Sequence, residues 1–169
     1  MSTAADSVLD RPVEGRIHAV TDIDADTNTD MNAAMDNTAT AGADADRADR
    51  SWRAGDQIEA IAAADRALAA GVDPHGRAAT VAAATAAADG ALTEAAVRWR
   101  RVAGIVGGGP AVEARGRAAL AWALVGRVAE ARSDLAAARE GLADPAPRGL
   151  TVMLDGVSAV IDAVRGDLR

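Results

Sequence analysis

The chain has 169 residues, no cysteine, and an apolar half built mainly from alanine. Without cysteine there can be no disulfide, thiolate nucleophile or Cys-based metal centre. A net charge of −7 and a pI near 4.8 give no basic footprint for nucleic acid.

The charge is uneven. Residues 1–46 hold ten acids and two arginines, while residues 47–169 hold sixteen arginines and fifteen acids. All eighteen cations are arginine, which with the alanine and glycine excess reflects GC-rich codon usage. Residues 1–42 are poor in large apolar side chains and rich in Asp, Thr, Asn and Ala. Such a stretch cannot bury enough surface to offset its ordering entropy, so a disordered acidic leader is expected. Within it, Ser7-Val8-Leu9 and Arg16-Ile17-His18-Ala19-Val20 could order on a partner. The alternating Asp22, Asp24, Asp26, Asn28 and Asp30 fail as a calcium loop. The sixth and twelfth positions hold Thr27 and Ala33, or Thr29 and Met35, instead of Gly and Glu.

From about Ala43 the pattern is helical, and alanine is the best helix former. A first helix is expected over 43–54, stopping at Gly55. A second covers 57–70, with Ile58, Ile61, Ala64 and Leu68 on one stripe and Gly71 as its cap. The third, over 76–88, is almost pure Ala, Thr and Val. A fourth runs over 93–106 with Trp99 and Val102 inward. Gly107-Gly108-Gly109-Pro110 reads as a flexible break; no strand precedes it and no Lys-Ser/Thr follows, so it is not a phosphate cradle. Helices over 111–125 and 129–141 follow, the latter ended by Asp144-Pro145. The last helix, 148–165, carries Leu150, Met153, Leu154, Val157, Val160, Ile161 and Val164.

One phrase recurs along these elements. Gly55-Asp56-Gln57-Ile58-Glu59-Ala60-Ile61 leads to Ala67-Leu68 and Asp73-Pro74. Gly90-Ala91-Leu92-Thr93-Glu94-Ala95-Ala96 leads to Trp99. Gly126-Arg127-Val128-Ala129-Glu130-Ala131-Arg132 ends at Asp144-Pro145, and Gly166-Asp167-Leu168 opens a fourth copy. The glycines lie 35, 36 and 40 residues apart. A period in the middle thirties marks a helical repeat.

These motifs resemble the tetratricopeptide repeat family over about residues 43–169. The resemblance implies an all-α solenoid of about three antiparallel helix pairs plus a final helix, each unit packed on its neighbours. It implies that Gly55, Ala60, Gly90, Ala95, Trp99, Trp122, Gly126 and Ala131 serve packing within and between repeats. The chain departs from the family on the first helix, where Arg47 and Ser51 replace large apolar residues, and on the third, which offers only alanines. The family's first helices line a concave groove, so the resemblance places Arg77, Thr80, Ala84 and Ala88 there from the second repeat. It adds Glu113, Gly116, Leu120, Ala123 and Leu124 from the third, and Met153, Val160 and Val164 from the last helix. The Lys, Asn and Arg clamp that some members use on acidic peptide ends is missing, since those places hold Ala and Leu. The implied function is a non-enzymatic module that binds a helix or extended peptide in an apolar groove. Closure of that strip by the last helix itself, or by a second copy of the chain, is the alternative. The small-residue style is also similar to repeat arrays of large actinobacterial ATPase-type transcription regulators, which gives a second reading: a repeat segment whose ATPase and DNA-binding parts lie elsewhere.

Nothing points to chemistry. His18 and His75 are far apart, and no Ser/His/Asp or paired-carboxylate arrangement can be assembled. Arg98, Arg100 and Arg101 around Trp99 read as a solvated helix face. No cofactor or metal is expected. No apolar run reaches membrane-spanning length and no secretory signal opens the chain, so a cytoplasmic protein is expected.

Overall fold

The structure, a computed structural model, describes the backbone of residues 24–166 and the side chains of residues 35–166. The described residues form seven helices and no strand: α1 Asp24–Ala54, α2 Gln57–Ala69, α3 Arg77–Ala88, α4 Leu92–Ile105, α5 Gly108–Leu124, α6 Val128–Glu140 and α7 Arg148–Arg165. Two compact units divide the chain, Met1–Ala34 and Met35–Arg169, and all packing below belongs to the second. Among the described residues no helix is long and apolar enough to cross a membrane.

Each connection after α1, α3 and α5 is built the same way. Gly55, Gly90 and Gly126 sit at φ 81°, 76° and 79°. The N–H after each glycine donates to the carbonyl five residues back: Asp56 to Ser51, Ala91 to Ala86, Arg127 to Trp122. The glycine N–H itself donates three back, to Trp52, Ala87 and Ala123. This double bond set is the Schellman cap, which needs a left-handed residue that glycine supplies without a Cβ clash. The same cap also closes α2, where Gly71 at φ 72° donates to Leu68 and Val72 to Ala67, so it recurs at the sequence period without being confined to it.

Burial runs in three successive clusters that share helices. Ala45, Ala48, Ala60, Ala63, Ala64, Ala67, Ala78 and Val81 join α1, α2 and α3. Ala83, Ala95, Trp99, Val102 and Ala118 join α3, α4 and α5, with Leu68 of α2 at the edge. Trp122, Leu135, Leu154, Val157 and Ile161 join α5, α6 and α7. Bulk thus increases toward the C-terminus. In the first cluster, alanines let helix backbones approach closely, since each buries little area by itself.

Three expectations need correction. The first helix, expected from residue 43, is α1 Asp24–Ala54, so it begins within the stretch read as an acidic leader. Alanines favour the helix there, and from Ala41 onward it buries Ala41, Ala45 and Ala48 on one face. Residues 1–23, with the two short apolar motifs and His18, lie outside the described residues. The stripe on α2 holds only in part, since Ala64 and Leu68 pack inward and the two isoleucines do not. Ile58 is 85% exposed and Ile61 borders on exposed, while Ala60, Ala63, Ala64 and Ala67 are buried. Close approach selects the alanine face, which the bulky isoleucines could not fit. Finally, Gly107–Pro110 is not a flexible break. α5 begins at Gly108, whose φ of 59° turns the chain into the helix. Pro110 falls in the first turn, where a missing N–H costs nothing.

Asp73 caps α3 from outside it. Its carboxylate accepts the N–H groups of Ala78 at 3.2 Å and Ala79 at 2.8 Å. Gly76 holds the formal cap position at φ 64°, and a Cβ there would meet Val106 Cγ1 at 2.8 Å. An N-cap carboxylate is worth about 1 kcal/mol. Asp73→Ala should therefore lower the unfolding free energy by about 1 kcal/mol, moving the urea midpoint down without changing the denaturant slope. An unchanged midpoint would show that the bond is not made.

Candidate functional site

Two adjoining hollows lie over α1, α3, α4 and α5. The more apolar one, about 410 Å³, is lined by Trp52, Ala84, Ala87, Leu92, Trp99, Arg117, Leu120, Ala121 and Leu124. Its neighbour, about 280 Å³, shares Trp52, Ala84, Trp99 and Arg117 and adds His75, Thr80, Val102, Pro110 and Glu113. Together they form one groove with an apolar end at Leu92, Leu120 and Leu124 and a polar end at His75 and Glu113. The walls come from elements that the Schellman turns and the alanine packing hold at fixed spacing.

The groove floor is ordered by paired groups. Glu113 Oε1 accepts from Arg117 Nη2 at 2.6 Å and Nε at 3.1 Å, one helical turn on. The Arg117 guanidinium carbon lies 5.0 Å from the Trp99 ring centre, a cation–π distance. Thr80 Oγ1 donates to the Gly76 carbonyl at 2.6 Å, which turns its hydroxyl onto its own helix.

Of the residues assigned to the groove, the structure brings Thr80, Ala84, Leu120 and Leu124 together. Glu113, named with them, joins the polar end. The others lie elsewhere. Arg77 pairs with Asp46 beside a separate hollow that shares only His75 with the groove. Met153 and Val160 pack against the α5–α6 core. Gly116 is covered by α7, where an added Cβ would stand 2.5 Å from Met153 Cε and 2.9 Å from Leu154 Cδ2. Val164 is exposed on the last turn of α7, and Ala123 is buried. The last helix therefore closes the α5–α6 interface, because its largest side chains point there. The packing positions Ala60, Ala95, Ala131, Trp99 and Trp122 are all buried.

A second ordered cluster lies between α4, α5 and α6. Asp134 is 1% exposed and accepts from Arg100 Nε at 2.7 Å and Arg115 Nη1 at 3.0 Å. Arg100 and Arg127 both place guanidinium carbons over Trp122, at 5.3 and 4.3 Å. Glu130 accepts from Arg127, and its carboxyl is held below the usual range by the backbone N–H it accepts and then by Arg127. Near α1, the Arg66 guanidinium is raised further above its usual range by its bond to Asp44.

The sequence reading missed Trp52 and Asp134. Trp52 stands three residues before Gly55, close to the offset of Trp122 from Gly126, and that spacing could have found it. Asp134 gave no local signal, since its partners lie 34 and 19 residues away in the chain. Nor do the arginines of α4 simply form a solvated face. Arg98 reaches the Ala82 carbonyl at 2.9 Å, Arg100 reaches Asp134, and the cation on Trp99 comes from α5.

No family model, curated protein or solved structure matches this chain. Among the described residues, no group of three or more His, Asp or Glu side chains could hold a metal ion.

Proposed function

We propose that the chain is a tetratricopeptide-like solenoid of antiparallel helix pairs whose groove binds a helix or extended peptide of another protein, without catalysis. The repeated Schellman turns after α1, α3 and α5 support the repeat reading. The observation that carries the binding role is the groove itself. Half-buried Trp52 lines it, buried Trp99 forms its floor beneath Arg117, and Leu124 stands 56% exposed at its apolar end. Tryptophan is enriched at binding hot spots because it contributes large apolar area with few rotatable bonds. The exposed Leu124 adds apolar surface that only a partner would remove from water.

The test is capture of partners from lysate by the intact chain and by Leu124→Asp. Leu124 is exposed, so the variant should fold normally, within about 0.5 kcal/mol of the parent. A charge set in the apolar end should abolish retention of a specific partner, with circular dichroism unchanged. Identical capture by both proteins would overturn the groove reading.

A further inference from the structure

We infer that the groove is matched to a basic amphipathic helix, one whose Lys or Arg docks between Trp52 and Glu113 while its apolar face lies along Leu92, Leu120 and Leu124. This rests on the groove reading above and adds the partner's charge. Three observations give the sign.

First, Glu113 is half satisfied. Both bonds from Arg117 end on Oε1, and Oε2 has no partner among the described residues. A carboxylate oxygen left open on a groove wall accepts from an incoming ammonium or guanidinium; it repels an acid. Second, the tryptophans differ in occupancy. Trp99 already carries Arg117, and Trp122 carries Arg100 and Arg127. The Trp52 ring lines the same hollow as Glu113 and has no cation over it among the described residues. A cation from outside is the group that completes it in the manner of its two counterparts. Third, Glu113 and Arg117 balance within the groove, while the separate hollow that shares His75 with it holds Asp46 and Asp73 against Arg77, an excess of one carboxylate beside the polar end. Charge complementarity of this kind sets partner choice more than raw affinity.

The gradient along the groove also fixes polarity. Apolar anchors at one end and the Glu113 carboxylate at the other suit a helix with a leucine stripe and a basic residue beyond its last anchor.

The test uses the full chain and two labelled synthetic helices of equal length, one of leucine and lysine, one of leucine and glutamate, read by fluorescence anisotropy at constant salt. The lysine helix should bind at least about fivefold tighter than the glutamate helix, the scale set by a partly exposed ion pair. Glu113→Gln should close most of that gap. Leu124→Ala should weaken the lysine helix by about fivefold through lost apolar burial. Circular dichroism verifies that both variants fold. Equal or tighter binding of the glutamate helix, still weakened by Leu124→Ala, would overturn the charge assignment and leave the groove reading standing. A lysine preference untouched by Glu113→Gln would also overturn it. Lysine-helix binding that ignores Leu124→Ala would place the attraction on the acidic N-terminal segment and overturn both readings, as would no binding of the lysine helix.

Discussion

Trp122→Ala should lower the unfolding free energy by about 3–5 kcal/mol, the range for a buried tryptophan reduced to alanine. Trp122 is 2% exposed and belongs to the cluster that joins α5, α6 and α7. Its neighbours there include Ala119, Ala121, Ala123, Ala131 and Ala138, side chains too short to collapse into the space it would leave. The variant also removes the ring beneath Arg100 and Arg127. A domain of this size holds only about 5–15 kcal/mol in total, so the loss is a large share of its stability. Urea unfolding followed by circular dichroism measures it. Trp122→Phe should cost much less, because the buried indole N–H has no hydrogen-bond partner to lose. A loss under about 1 kcal/mol for Trp122→Ala would mean that the α5–α6 interface is not packed around this ring.

Asp134→Ala should cost about 2 kcal/mol, below the 3–5 expected for breaking a fully buried ion pair. The discount follows from the partners. Asp134 is 1% exposed, but the side chains of Arg100 and Arg115 are 37% and 38% exposed and regain water when the carboxylate goes. What is lost is two charge-assisted bonds and the link they make between α4, α5 and α6. Thermal melts of Asp134→Ala, Arg100→Met and the double variant separate these contributions. A coupling between the two sites near zero would show that Asp134 is held by Arg115 alone. Asp134→Leu offers a further contrast: if it recovers the parent's stability, the network serves helix register more than stability.

The bounds of α2 to α7 were legible to within three residues at each end, because glycine turns, Asp-Pro exits and alanine runs are local signals. Gly55, Gly90 and Gly126 marked the recurring turn, and the backbone makes each of them a left-handed cap. The start of α1 was misread, since a run of Asp, Thr and Asn lowers the expected helix content although alanines stand among them. The groove was legible in part. Thr80 and Ala84 on α3 and Leu120 and Leu124 on α5 line the groove, whereas Met153 and Val160 on α7 are apolar as well but face the α5–α6 interface. Side-chain type does not tell which face of a terminal helix finds a neighbour.

The sequence by itself determined an all-helical chain with a repeating turn, because positive-φ glycines and alanine runs act over a few residues and need no distant partner. Only the tertiary structure decided that α2 buries its alanines and exposes Ile58, that Trp52 and Trp99 line one groove, and that Asp134 is held by Arg100 and Arg115. Those outcomes depend on how closely helices far apart in the chain approach, and that distance is set by summed packing across the interfaces, which no single segment encodes.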